Sequence, residues 1–162
     1  YGKLVVAPAD WKKMAEKPDE ATLPERALET LNAATPDGGT SIAFCCMGSS
    51  PYTEESDYLA PKAFAHACKK ADDSVGMSLV SSGGADPTSL NGYLKTIGKR
   101  EETFEGMQFE YLSIFRPGML MRQEKQRTKK KIFMPLAPPK YRVDTREVAK
   151  AIVFDATECN RS

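Results

Sequence analysis

Two serines, a tyrosine and an isoleucine are the residues from which chemistry can first be argued. The stretch from Gly76 to Arg100 reads Gly-Met-Ser-Leu-Val-Ser-Ser-Gly-Gly-Ala-Asp, then Pro-Thr-Ser-Leu-Asn-Gly-Tyr-Leu-Lys-Thr-Ile-Gly-Lys-Arg. Its apolar start predicts a short buried strand ending at Ser81-Ser82, then a glycine turn and a helix carrying Tyr93. A serine at the carboxyl end of a strand and a tyrosine on the next helix can flank a carbonyl. The phenol supplies a proton and the serine hydroxyl polarises the oxygen. That chemistry needs a cation one helical turn beyond the tyrosine, near enough to favour the ionised phenol. The residue at that position is Ile97. The frame of a reducing site is therefore present without its charge.

The elements that would position these groups alternate in type. Lys3 to Ala7 predicts a strand stopped by Pro8, with Asp10 and Trp11 in a loop or short helix behind it. Thr22-Leu-Pro-Glu25 has the form of a capping box with a proline in the first turn, opening a helix to about Ala34. Ser41 to Met47 is a continuous apolar run, the signature of a strand covered on both faces. A helix follows over roughly Asp57 to Ala71, with Pro61 in its first turn or kinking it. The Tyr93 helix places Leu90, Tyr93, Leu94, Ile97 and Phe104 at helical spacing. Glu110 to Phe115 predicts a further strand, and Ile132 to Pro135 another short one. Asp144 to Glu147 caps a last helix with Val148, Ala149, Ile152 and Val153 inward. Strands alternating with helices of this length predict an α/β fold with a mostly parallel sheet and helices on both faces.

At 162 residues the chain is the size of one domain with a sizeable core. Net charge is +1, which gives no global reason to expect nucleic acid or an anionic membrane as partner. The longest apolar run, Ile42 to Met47, is far too short to span a bilayer. Cys45, Cys46, Cys68 and Cys159 include no Cys-x-x-Cys pair, and His66 is the sole histidine, so no metal site is expected. Free thiols in a reducing compartment are the better reading. The segment 122–131 is polar and basic. It is either a solvated loop or, over 124–131, a docking patch for an acidic protein or anionic lipid surface. It lacks the interleaved aromatics that single-stranded nucleic acid needs. Gly83-Gly84 forms a tight turn or a phosphate cradle. Arg116 bonds loop carbonyls or lines a ligand mouth.

Several motifs follow one another in a recognisable order. They are Phe44-Cys-Cys-Met-Gly-Ser49, Asp57-Tyr58, Leu79-Val-Ser-Ser-Gly-Gly-Ala-Asp86, Tyr93-Leu94 with Gly98, Phe115-Arg-Pro-Gly118 and Tyr141-Arg-Val-Asp-Thr-Arg-Glu-Val-Ala149. Over about Ser41 to Ile152 this order resembles the atypical branch of the short-chain dehydrogenase/reductase superfamily, and within it the Tat-interacting oxidoreductase-like family. The resemblance implies an NAD(P)-binding, Rossmann-like domain. By the same resemblance Cys46, Met47, Gly48 and Ser49 would lie under the cofactor's adenosine and ribose, with Asp10 near the adenine. Ser82, or Ser81, and Tyr93 would be the catalytic hydroxyls. Arg116, Pro117 and Gly118 would line the nicotinamide and substrate mouth.

Two departures shape the functional expectation. Ile97 stands where the family's Tyr-x-x-x-Lys motif has lysine, and Lys95 and Lys99 project away from the tyrosine's face. The family's glycine-rich turn, which binds pyrophosphate at a helix N-terminus, is not in this sequence: only Gly2 precedes Gly38. The fold is thus expected to be a single Rossmann-like domain over residues 1–162, truncated at its N-terminus. NAD(P) is expected only if a glycine-rich turn precedes Tyr1 in the native chain; otherwise no cofactor is expected. The resulting expectation is a non-catalytic, reductase-derived accessory subunit of a larger assembly. It would pair with other protein subunits at the edge strand 3–7 or through the basic loop. The start at Tyr1 raises the expectation of an organelle, plastid or mitochondrion, with the cytoplasm as the alternative. The alternatives are an NAD(P)H-dependent oxidoreductase and an NAD(P)-sensing regulator.

Overall fold

A computed structural model describes residues 9–34, 41–121 and 141–159. The expected strand at 3–7, the basic segment 122–131 and the expected strand at 132–135 lie outside the described residues. Strand β1 (Ile42–Cys45), strand β2 (Gly76–Val80) and strand β3 (Leu112–Phe115) form a parallel sheet in the order β1-β2-β3. Ile42 pairs with Gly76, and Met77 with Leu112. Parallel neighbours need long crossovers. Helix α3 (Ala60–Ala71) supplies the first and helix α4 (Gly92–Gly106) the second. The α/β, Rossmann-like expectation is therefore met by the described residues.

Period-two alternation sends the two sets of strand residues to opposite sides of the sheet. Met77 and Leu79 of β2 join Cys45, Ala65, Cys68, Val75 and Phe104 in the main core, with Leu112 and Ile114 of β3 packed against it. Ser78 and Ser113 face the other way, and there helix α5 (Thr145–Cys159) arrives. Asp155 of α5 accepts hydrogen bonds from Ser113 Oγ at 2.6 Å and from the Tyr111 hydroxyl at 2.5 Å. Helices thus lie on both faces, although Phe44 of β1, in register with Ser78, stays exposed.

Helix α3 is buried on two sides. Ala65 and Cys68 meet the sheet, while Ala63 and Ala67 form a second cluster with Ala21, backed by Met14 and Leu23. Small residues on that second side let helix α1 (Trp11–Glu16) and the 3-10 turn Pro18–Glu20 lie close. The Trp11 ring meets Phe64 edge-on, and Asp19 bridges Lys62 and His66 at 2.8 Å each. Helix α2 (Glu25–Ala34) starts directly after Pro24, two residues later than a capping box opening at Thr22 would place it, so the proline precedes the first turn rather than lying in it.

Several boundaries differ from expectation. The helix of the first crossover begins not at Asp57 but with a π-helical turn, Glu55–Leu59, and Pro61 sits at the junction where α-helical winding begins. Leu90, expected on the Tyr93 helix stripe, is fully exposed, because α4 starts only at Gly92, capped by the Asn91 side chain. On α5, Ile152 is buried and Val148 half-buried, but Ala149 and Val153 face outward, so the inward stripe is narrower than predicted. The sequence reading also missed strand β4 (Met119–Met121), which pairs in parallel with strand β5 (Arg142–Asp144).

Candidate functional site

The groups singled out in the sequence gather at the carboxyl ends of β1, β2 and β3. That edge is where open parallel sheets bind ligands. Tyr93 is half-buried in the first turn of α4, its ring 5.7 Å from that of Tyr52 and tilted by 59°. Gly92 allows the pairing, because a Cβ there would stand 2.5 Å from the Tyr52 hydroxyl oxygen. Ser82 is half-buried just past β2, and its carbonyl accepts from the Ala85 N–H at 3.0 Å. Gly84 follows with φ of 126°, which makes this a tight turn that favours glycine.

Ile97 is buried, with 1% of its surface exposed. Its side chain therefore fills core where the reductase pattern has an ammonium. Lys95 and Lys99 are exposed, as their helical angles predict. Ser81 is committed elsewhere: its hydroxyl donates to Glu101 Oε1. The same carboxylate receives both arms of Arg116, Nε to Oε1 at 3.0 Å and Nη2 to Oε2 at 2.6 Å. Glu101's side chain is only 4% exposed and Arg116's is 55% exposed. The hydrogen bond to Glu101, reinforced by its charge, pushes the Arg116 guanidinium pKa above its usual value. Arg116 thus joins the end of β3 to α4 through a side-chain carboxylate rather than through loop carbonyls.

Sequence reading missed a second buried charge. Arg100 is 2% exposed and donates to Met47 O at 3.0 Å, Asp57 O at 3.3 Å and Val80 O at 2.9 Å. One guanidinium therefore ties the end of β1, the π-helical turn and the end of β2 together. Beside it the buried Asp57 carboxylate accepts from Ser49 N, Ser49 Oγ and Thr53 N. It shapes the loop after β1, and a Cβ on Gly48 would lie 3.2 Å from Asp57 Oδ1. The signal for Arg100 was in the sequence: at about 100° per residue, Tyr93, Ile97, Arg100 and Phe104 share one face of a helix.

The remaining expected positions are distributed as follows. The Asp10 side chain caps α1 by accepting from Lys13 N at 3.1 Å. Cys46 is exposed and Met47 half-buried, and Ser49 is turned toward Asp57. Pro117 O accepts from Gly83 N at 2.7 Å, so the turn after Ser82 lies against the segment after β3. Gly118 packs on the Tyr141 carbonyl, where a Cβ would stand only 2.5 Å from the oxygen. Burial pushes the thiol pKa of Cys45 up to about 11 and that of Cys68 to about 12, so both stay neutral. No cluster of metal-ligating side chains occurs among the described residues.

Between the end of β3, strand β5 and α5 lies an open cleft of about 280 Å³. Phe115, Pro117, Val143, Val148 and Ala151 make its apolar walls, and Arg116 and Glu147 stand at its rim.

A parallel α/β sheet with hydroxyls and a cleft gathered at its carboxyl edge defines the class of this chain as Rossmann-like. Over 96 residues the chain is 34% identical to Protein HTATIP2 of Rattus norvegicus, a match covering 53% of this chain and 38% of that protein. No family model matches. Among the described residues no helix is long and apolar enough to cross a membrane.

Proposed function

We propose that this chain is an atypical short-chain dehydrogenase/reductase-type domain whose hydroxyl site has lost proton-relay chemistry, and that it works as a non-catalytic binding or accessory unit. The observation that carries the reading is the pairing of Ile97 with Glu101. An aliphatic residue fills the cation's position, and Ser81 spends its hydroxyl on a structural carboxylate. The order of motifs and the partial likeness to HTATIP2 support the reductase ancestry. The exposed Val153 and Phe154 on α5 support a surface used for protein contact.

A specific observation favours a second reading, a working NAD(P)H-dependent reductase. Ser82 is not drawn to Glu101, Tyr93 is half-buried, and the cleft beside Pro117 lies next to the turn that follows Ser82. In that reading Tyr93 would deliver the proton through water, and the segment Cys46 to Ser49 would border the nucleotide. These residues fit the ribose end of a dinucleotide better than its pyrophosphate, because the Ser49 N–H is already given to Asp57.

The test is NADPH oxidation with small ketones by the purified chain, alongside NADPH fluorescence as a binding readout. The proposal expects no turnover above buffer. It expects Ile97→Lys either to leave the chain inactive or to create a rate where none existed. Steady NADPH-dependent turnover by the unmodified chain refutes it in favour of the second reading.

A further inference from the structure

The tyrosine singled out for chemistry has a second tyrosine laid against it. Tyr52 stands on the loop between β1 and the π-helical turn, and its ring centroid lies 5.7 Å from that of Tyr93. Aromatic rings attract each other at that separation. The Tyr52 hydroxyl ends over the first turn of α4, in the space that a side chain at position 92 would take. A Cβ on Gly92 would stand 2.5 Å from that oxygen. Tyr52 is 45% exposed, whereas Tyr93 is half-buried beneath it. The backbone on either side of Tyr52 is fixed. Ser49 N donates to Asp57 Oδ1 at 3.2 Å, Thr53 N donates to Asp57 Oδ2 at 3.0 Å, and Arg100 holds the Asp57 carbonyl. Tyr52 therefore leaves Tyr93 by turning about its own side-chain bonds, between staggered rotamers, while the loop stays in place.

We propose that Tyr52 is an aromatic lid over Tyr93, an autoinhibitory contact that closes the hydroxyl site at rest and opens by side-chain rotation. The hollow at Gly92 is its seat. A tilted ring pair favours the closed arrangement by only about 2- to 12-fold, so the lid yields to modest competition. Neither tyrosine lines the cleft beside Pro117, so the lid acts on the phenol itself. The lid rests on the reading of Tyr93 as the remnant hydroxyl of a reductase site, and accounts for how that site is kept shut.

The experiment is photo-CIDNP NMR of the full chain, in which a photoexcited flavin dye polarises the ring protons of tyrosines whose phenol it reaches. Tyr93→Phe and Tyr52→Phe assign the two signals by their loss. In the unmodified chain Tyr93 is expected to be polarised less than Tyr52. Tyr52→Ala is expected to raise the Tyr93 signal at least about threefold, and Tyr52→Phe to leave it low, because the ring makes the cover. Gly92→Ala is expected to raise it as well. The atom in the way of the new Cβ is the far end of the Tyr52 side chain, so the lid moves and the helix stays. Amide spectra identify the folded variants. Tyr93 polarised as strongly as Tyr52 in the unmodified chain overturns the proposal, as does a Tyr93 signal unchanged in either folded variant. No nucleotide or turnover enters the measurement. NADPH turnover would refute the accessory reading without touching the lid, and an uncovered Tyr93 would refute the lid alone.

Discussion

Replacing Arg100 by methionine tests whether a buried guanidinium holds the ligand edge together. Methionine keeps much of the side chain's length and removes its donors. Three hydrogen bonds disappear, to Met47 O, Val80 O and Asp57 O, the last already long at 3.3 Å. Hydrogen bonds from a charged donor are worth about 1.5–3 kcal/mol each, so the gross loss is about 4.5–9 kcal/mol. Two offsets act. Arg100 has no carboxylate partner among these bonds, so its removal recovers several kcal/mol of desolvation cost. The Met47 and Val80 carbonyls are only partly buried and regain some water. The net expectation is a loss of about 3 kcal/mol, or about 6–12 °C in Tm for a domain of this size. Urea unfolding followed by circular dichroism, with a thermal melt, reads both. Arg100→Lys is expected to recover less than half of the loss, because one ammonium cannot reach carbonyls on three separate segments. A loss below about 1 kcal/mol for Arg100→Met, with cooperativity unchanged, refutes the reasoning, since it would mean that solvent satisfies all three carbonyls.

Other expected outcomes follow from single contacts. Gly98→Ala places a Cβ 2.2 Å from Pro87 N and 2.4 Å from Asp86 C, so the loop after β2 must leave α4; a loss of about 3 kcal/mol is expected in urea unfolding. Asp57→Asn turns an amide toward donors that now point at a carboxylate, and is expected to lower stability by about 2 kcal/mol and shift the Ser49 and Thr53 amide resonances. Asp19 has a folded pKa below its ordinary 3.8, chiefly through its hydrogen bond with Lys62. A depressed carboxylate stabilises above the unfolded value and loses that contribution as pH falls below 3.8 toward the folded one. Asp19→Asn is therefore expected to reduce slightly the loss of stability on acidification below about pH 4, and added salt to reduce the difference.

The legible part of this chain was its apolar framework. The run Ser41 to Met47 and the stretch Met77 to Val80 announced strands, and β1 and β2 lie within or across those runs, but only β2 is covered on both faces, since Phe44 of β1 is 45% exposed. The Tyr93 helix was legible too, but Leu90 was not separable from its stripe, because a leucine one residue before a cap matches the period and yet stands outside the helix. Val153 misled for the opposite reason: α5 buries a narrow line through Val148 and Ile152, and an apolar neighbour of that line faces solvent. The charged heart of the site was hidden. Lys99-Arg-Glu-Glu102 reads as a solvated run, yet its middle two residues are buried and the outer two exposed. Helical spacing puts Arg100 on the face of Ile97 and Phe104, but nothing local sets Glu101 apart from Glu102; only the arrival of Arg116 from a distant strand end does.

The carboxylate of Glu101 has a consequence for how the molecule breathes. Because it is shared by Ser81 and Arg116, the tails of two neighbouring strands and the middle of a helix cannot detach one at a time. Exchange of the Ser81 and Gly83 amides, each given to a carbonyl just past or at the end of β3, should follow one cooperative opening rather than the fraying of separate loops. The rim of the cleft is then either closed as a whole or open as a whole, and a guest that favours the closed form slows every one of those amides together.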